Sequence, residues 1–314
     1  MNPILFIPAE ALMLAGVAIY PGARRQECAG RALQGLADIR ALCELLERLP
    51  QHRGLANAVL QGNDGFRAEL TQVQAAVDAG MALVRRLAQG EDRWRVAERC
   101  QAMDRAWSRL KAELDSLAAE ESFRRHTELI RELLYLMEDV GEASGLLSQG
   151  REGDDLARIL VVALPQVCEA LGQARGIGTG VAARGQCDTV SRVRLRYLLD
   201  KAERVSRSYQ AYLGNLSGEA ARLAQTASES TRRFLDLLRM DLLETQTIRV
   251  APEAFFAQGT EAIRHDFTLL DHLGSMLQAR LEREARSVRR RVVWRRTASL
   301  TLQAGALALA AAGV

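Results

Sequence analysis

Two short stretches carry the residues most able to do chemistry. "ERLPQHRG" (residues 47–54) and "EALGQARG" (residues 169–176) both read E-x-L-[P/G]-Q-x-R-G, so that Arg53 and Arg175 hold equivalent places followed by glycine. Small residues follow each arginine: Gly54, Ala56 and Ala58 in one copy, Gly176, Gly178 and Gly180 in the other. Small residues let helices approach closely, and an arginine on such an inward face is costly to bury without a partner. Guanidinium is planar, permanently charged and offers parallel N–H donors, which suits a small planar oxyanion. Two guanidinium groups about 6–8 Å apart repel by about 2–3 kcal/mol at an effective dielectric near 20, and an anion between them would relieve that. The competing reading is a generic helix-packing motif in an arginine-rich chain.

Glu47 and Glu169 lie six residues before their arginines, roughly opposite them on an ideal helix, which argues against pairing within one helix. Pro50 and Gly172 each precede an arginine by three residues and predict irregular helix there. Other signals carry less. "GIGTG" (176–180) follows a helical pattern, with no strand before it and no G-K-[ST], and reads as small-residue packing. His126, His265 and His272 are scattered and read as surface or capping residues; Glu261 and His265 have a metal-like spacing but no third ligand. No Ser/His/Asp, Cys/His or paired-carboxylate arrangement stands out, so neither catalysis, nor a metal, nor a cofactor is expected.

The elements that must position these arginines are helices. The 314-residue chain is 48% hydrophobic and 26% charged with 5% aromatics and six prolines, the vocabulary of a soluble helical protein. Apolar residues recur at spacings of three and four, as at Leu198, Ala202, Val205, Tyr209 and Tyr212. Breaks fall at 61–65, 88–92, around Glu120, and at 148–155, 183–188, 213–218 and 249–253, which predicts eight segments of roughly 25 to 40 residues. Residues 252 to 291 read as one long helix opening at Pro252. Short connections make neighbours antiparallel, hence an all-α, elongated pair of up-down four-helix bundles with the octets in the first and fifth long helices. If the halves are duplicates, the octets face each other.

Three regions are expected: an apolar N-terminal segment (1–22), the helical double bundle (23–285) and a basic then apolar tail (286–314). Residues 280 to 296 hold eight arginines and two glutamates, so the formal charge of +3 resides in the tail. The uncharged run 297–314 would enter a membrane, lie on one, bind a partner helix or stay disordered; nucleic acid is disfavoured because Trp294 is the one aromatic within the basic patch. Five cysteines without C-x-x-C spacing, and no cleavable signal peptide, read as reduced core residues of a cytoplasmic protein.

"PQHRGLANAVLQGN" (50–63) resembles the signature of the nitrate- and nitrite-sensing domain family. "FRRHTELIRELLYLMEDVGEASGL" (123–146), "LPQVCEALGQARGIGTGVAARG" (164–185) and "PEAFFAQGTEAI" (252–263) resemble its later segments in the same order, so the likeness spans about residues 28 to 285. The resemblance implies two four-helix bundles that bind nitrate or nitrite at their junction through arginines. It places Arg53 and Arg175 in the clamp, with Arg232 and Arg239 as secondary candidates. Members of the family couple the sensor to an output module; the roughly 30 residues after the sensor-like region are too few for one, so an unknown output protein is the expected partner. A homodimer and contact of the tail with the inner membrane stay open. The alternative function is a helical scaffold or adaptor with no small-anion site.

Overall fold

The computed structural model describes residues 9–89, 94–147 and 154–311, and most side chains from Arg24 onward; the first eight residues of the expected N-terminal segment lie outside the described residues. Among these residues every regular element is helical: α1 (Ala9–Leu60), α2 (Arg67–Leu87), α3 (Trp94–Glu113), α4 (Ala119–Ala143), α5 (Asp154–Arg158), α6 (Leu164–Arg184), α7 (Thr189–Gly214), α8 (Gly218–Leu238) and α9 (Pro252–Ala311). A π-turn at Ile159–Ala163 joins α5 to α6, and a second at Arg239–Leu243 extends α8.

The helix boundaries follow local chemistry. Gly185 ends α6 at φ +64°, a left-handed conformation that costs glycine little, and three residues later Asp188 caps α7 by accepting from the Ser191 amide at 2.9 Å. Helices α2, α3, α6 and α8, at 21, 20, 21 and 21 residues, are shorter than expected, while α1 with 52 and α9 with 60 are longer. The long ones lack an effective stop: residues 9–22 run into α1, and α9 continues beyond residue 291. The helices also run through Pro50 and Gly172, where irregularity was expected. Packing of Leu46, Leu49 and Ala56 on both sides of Pro50 outweighs one lost hydrogen bond. The irregularity lies instead before Pro165, where the Leu164 amide reaches back five residues to the Ile159 carbonyl.

Two compact units divide the chain: residues 35–276, and the terminal stretches 1–34 with 277–314. In the first unit, α3 packs on α2 and on α4, and α7 packs on α6 and on α8. Contacts of α1 with Gly80 of α2 and His126 of α4 complete one group of four helices. Contacts of α9 with Gly178 of α6 and Thr231 of α8 complete the other. The two four-helix bundles of the sequence reading are therefore present. Helix α6 also packs on α4 and is buried almost all round from Leu164 to Gly172, which makes it the element shared by both groups.

The core stripe of α1 reads Leu36, Ile39, Leu42, Leu46, Leu49, Arg53, Ala56, all at most 2% exposed, so Arg53 takes a place that the pattern reserves for an apolar side chain. Cys43, Cys100 and Cys168 are core residues as expected, but Cys28 is exposed, off the buried face of α1, and Cys187 is half-exposed in the connection between α6 and α7. The terminal stretches bury Leu277 and Leu281 and expose Trp294. Among the described residues no helix is long and apolar enough to cross a membrane.

Candidate functional site

The two octets meet. A Cβ placed on Gly172 would lie 3.4 Å from Arg53 Nη2 and 4.0 Å from Pro50 Cβ, so α1 and α6 touch where the two motifs align. Arg53 is buried, and its fork is answered by the glutamate of the other octet: Nη1 donates to Glu169 Oε1 at 2.6 Å and Nη2 to Oε2 at 3.2 Å. Nη1 also donates to Thr127 Oγ1 at 3.0 Å, and the guanidinium carbon stands 4.8 Å from the Phe123 ring centre. Gln173 Nε2 donates to Glu169 Oε1 at 2.8 Å, one turn along the same helix. A buried pair of this kind roughly offsets its own desolvation, whereas removing one partner typically costs about 3–5 kcal/mol because the other charge is stranded.

Arg175 has no such carboxylate. It is half-buried on α6, with its guanidinium carbon 4.7 Å from the Phe256 ring centre and Nη1 donating to Thr260 Oγ1 at 2.8 Å. Its Nε is buried without a hydrogen-bond partner. Burial, and secondarily the charge of Arg53, push the guanidinium down to about 10, while Glu169 acts the other way. The symmetric counterpart of Glu169 is Glu47, and it is exposed rather than paired with Arg175. One octet arginine is therefore neutralised and its twin is not.

Glu47, Gln51, Glu169, Arg175, Thr260 and Arg264 border a cleft of about 510 Å³ formed by α1, α6 and α9. Arg53 lies behind Glu169 and is not part of the lining. Arg232 and Arg239 are elsewhere: Arg232 borders a separate cavity against α7, and Arg239 forms ion pairs with Glu203 and Asp236. Among the described residues no three His, Cys, Asp or Glu side chains converge to hold a metal ion.

His126 departs from the sequence reading. It is fully buried, because the stripe of α4 carries it inward with Leu129, Ile130 and Leu133. Its Nδ1 lies 2.7 Å from the Ser122 carbonyl, so that nitrogen holds the proton and Nε2 accepts from His52 Nδ1 at 2.7 Å. Burial pushes His52 down to about 4 and His126 to about 3, so both are neutral near pH 7. Each neighbours a residue of the Arg53–Thr127 hydrogen bond in sequence, His52 beside Arg53 and His126 beside Thr127.

Residues that sequence reasoning did not single out, Phe123, Thr127, Phe256, Thr260 and Arg264, complete these arrangements. Four of them lie inside the quoted stretches 123–146 and 252–263; what was missing was knowledge of which face of each helix turns toward the octets.

The fold is an all-helical double bundle in which Arg53 and Arg175 lie where α1 meets α6. The sequence matches the nitrate and nitrite sensing family over residues 44–299, and the chain belongs to that family. Its structure is similar to that of the NasR transcription antiterminator, with a TM-score of 0.65 and 18% identity over 90% of this chain and 82% of the other. No curated protein sequence matches the chain significantly. Family membership assigns the chain to nitrate or nitrite sensing and signal transduction, with a small inorganic anion as ligand.

Proposed function

We propose that nitrate or nitrite binds between Arg175 and Arg53 in the α1–α6–α9 cleft and that the resulting repacking is relayed to a partner. One observation carries this reading: Arg175 is a desolvated guanidinium with a buried, unsatisfied donor and no carboxylate, facing an open cleft. Such a cation is stabilised by whatever anion reaches it. The Phe256 ring and Thr260 hydroxyl fix the guanidinium plane, which favours a planar oxyanion over a spherical one.

Glu169 occupies the Arg53 fork. An incoming anion competes with that carboxylate, and exchange of one for the other shifts α6 against α1. Because Thr260 and Arg264 lie on α9, anion binding also bears on this continuous helix, which runs on to Ala311. Differential affinity for two arrangements is what converts binding into a signal. The likeness to a transcription antiterminator supports a regulatory output.

Calorimetric titration with nitrate, nitrite, chloride and sulfate tests the binding step. Saturable nitrate or nitrite binding that Arg175→Lys strongly weakens is expected; equal responses to all four anions, or none, favour a scaffold without an anion site. Hydrogen exchange tests the relay. Protection should change along residues 252–300 as well as around Arg53 and Arg175, and a change confined to the octets removes α9 as the route.

A further inference from the structure

A second cavity, of about 750 Å³, opens between α7 and α8 with α9 as its floor, outside the anion cleft. Alanines on α8, including Ala221, Ala224 and Ala227, leave the gap that larger side chains would fill. The floor contributes Asp266, only 3% exposed. Thr231 Oγ1 donates to Asp266 Oδ2 at 3.0 Å, while Oδ1 has no hydrogen bond and the carboxyl has no ion pair among the described residues. Ser206 Oγ, also in the wall, is buried beside the Tyr209 hydroxyl. Glu203 and Asp236 at the rim are engaged by Arg239, and Glu229 by Gln225.

We propose that this cavity is a second ligand site, for a small organic amine whose ammonium group pairs with Asp266 while its carbon chain lies along the alanines of α8.

The chemistry selects the class. A buried carboxyl without a counter-charge calls for a donor, and a carboxylate repels an anion. A metal ion is disfavoured because one carboxylate and two hydroxyls are a poor ligand set and no three-residue group converges here. A bare ammonium ion would leave the alanine wall uncovered, whereas a carbon chain attached to it buries apolar surface there. Burial pushes the Asp266 carboxyl up to about 7, and an ammonium group bound beside it would bring it down. Tyr209 on α7 and Cys168 on α6 are titratable neighbours that burial pushes upward, and Arg207 and Arg232, which also line the cavity, form no ion pair with Asp266.

Thermal melting of the full chain at pH 8 with propylamine, ammonium chloride or tetramethylammonium chloride, each at 10 mM, tests the proposal. Propylamine should raise the wild-type midpoint by degrees and the other two should not. The shift should vanish in Asp266→Asn, which keeps the shape, and in Ala221→Leu, which fills the gap and keeps the carboxyl. Because neither residue lines the anion cleft, both variants should retain the nitrate response, which reports that they fold. No propylamine shift in the wild type, an equal shift with either control salt, or a shift surviving in both variants overturns the site.

Discussion

Arg53 on α1 and Glu169 on α6 stand fork to fork, with Nη1–Oε1 at 2.6 Å and Nη2–Oε2 at 3.2 Å, across 116 residues of sequence. The pair joins the two copies of one motif and leaves the second arginine, Arg175, without an equivalent carboxylate. In the proposed mechanism this asymmetry makes the site responsive: nitrate would displace the internal anion Glu169 and pair with the uncompensated Arg175.

Glu169→Gln removes the internal anion while keeping its shape. Arg53 is then buried without compensation, and a loss of about 3–5 kcal/mol is expected from the stranded charge. Nitrate should recover part of it, so the gain in urea midpoint at saturating nitrate should exceed that of the wild type, with tighter calorimetric affinity. Weaker nitrate binding in this variant would mean that Glu169 helps to hold the ligand and does not compete with it.

Arg175→Lys keeps the charge but loses the planar fork stacked on Phe256, and nitrate affinity should fall about 10- to 100-fold, the equivalent of one or two charge-assisted hydrogen bonds. The melting midpoint without anion should stay near that of the wild type. Arg53→Lys should lose affinity and stability together, since lysine cannot reproduce the two-point contact with Glu169 or the stacking on Phe123. Titration and melting of both variants separate the two roles; wild-type affinity in either removes that arginine from the clamp.

The breaks between helices were legible because each is written locally: Gly185 and Asp188 stop one helix and cap the next within four residues. That the octets would meet was legible from their repetition. That Glu169 answers Arg53 was not, because the identity of the partner depends on how α1 crosses α6, which no local pattern encodes. His126 was misread for the same reason: a lone histidine gives no sign of its partner 74 residues away. Pro50 misled in the other direction, since tertiary packing carried α1 through a residue that would break an isolated helix.

Glycines near the site separate close packing from mere repetition. A Cβ on Gly178 would meet Phe255 Cε1 at 2.3 Å, so Gly178→Ala forces α6 and α9 apart and should cost about 1–3 kcal/mol. A Cβ on Gly54 meets nothing within 4 Å, so Gly54→Ala should be neutral or stabilise by up to about 1 kcal/mol through helix propensity. Urea unfolding of the two variants checks the contrast. A similar loss in both would mean that the small residues after each arginine serve one common purpose.

The acid response should depend on Asp266 in a defined window. Burial raises this carboxyl from 3.8 to about 7, so between those values the folded chain holds a proton that the unfolded chain has released. Its contribution to stability is fully present below pH 3.8, declines as pH rises and is lost above about 7, with a slope of up to about 1.4 kcal/mol per pH unit. His52 and His126 act in the opposite sense: lowered from 6.5 to about 4 and about 3, they resist protonation in the folded state, so stability is lost as pH falls below 6.5. The histidines are common to the wild type and Asp266→Asn, so their slope cancels in the difference between the two. That difference should be flat above pH 7, with the asparagine variant the more stable, and should move in favour of the wild type as pH falls toward 4. Urea unfolding at pH 8, 6 and 4.5 measures it. Parallel curves for the two proteins across this range would show that Asp266 titrates alike in the folded and unfolded chain, and the carboxyl would then have no unmet charge to offer a ligand.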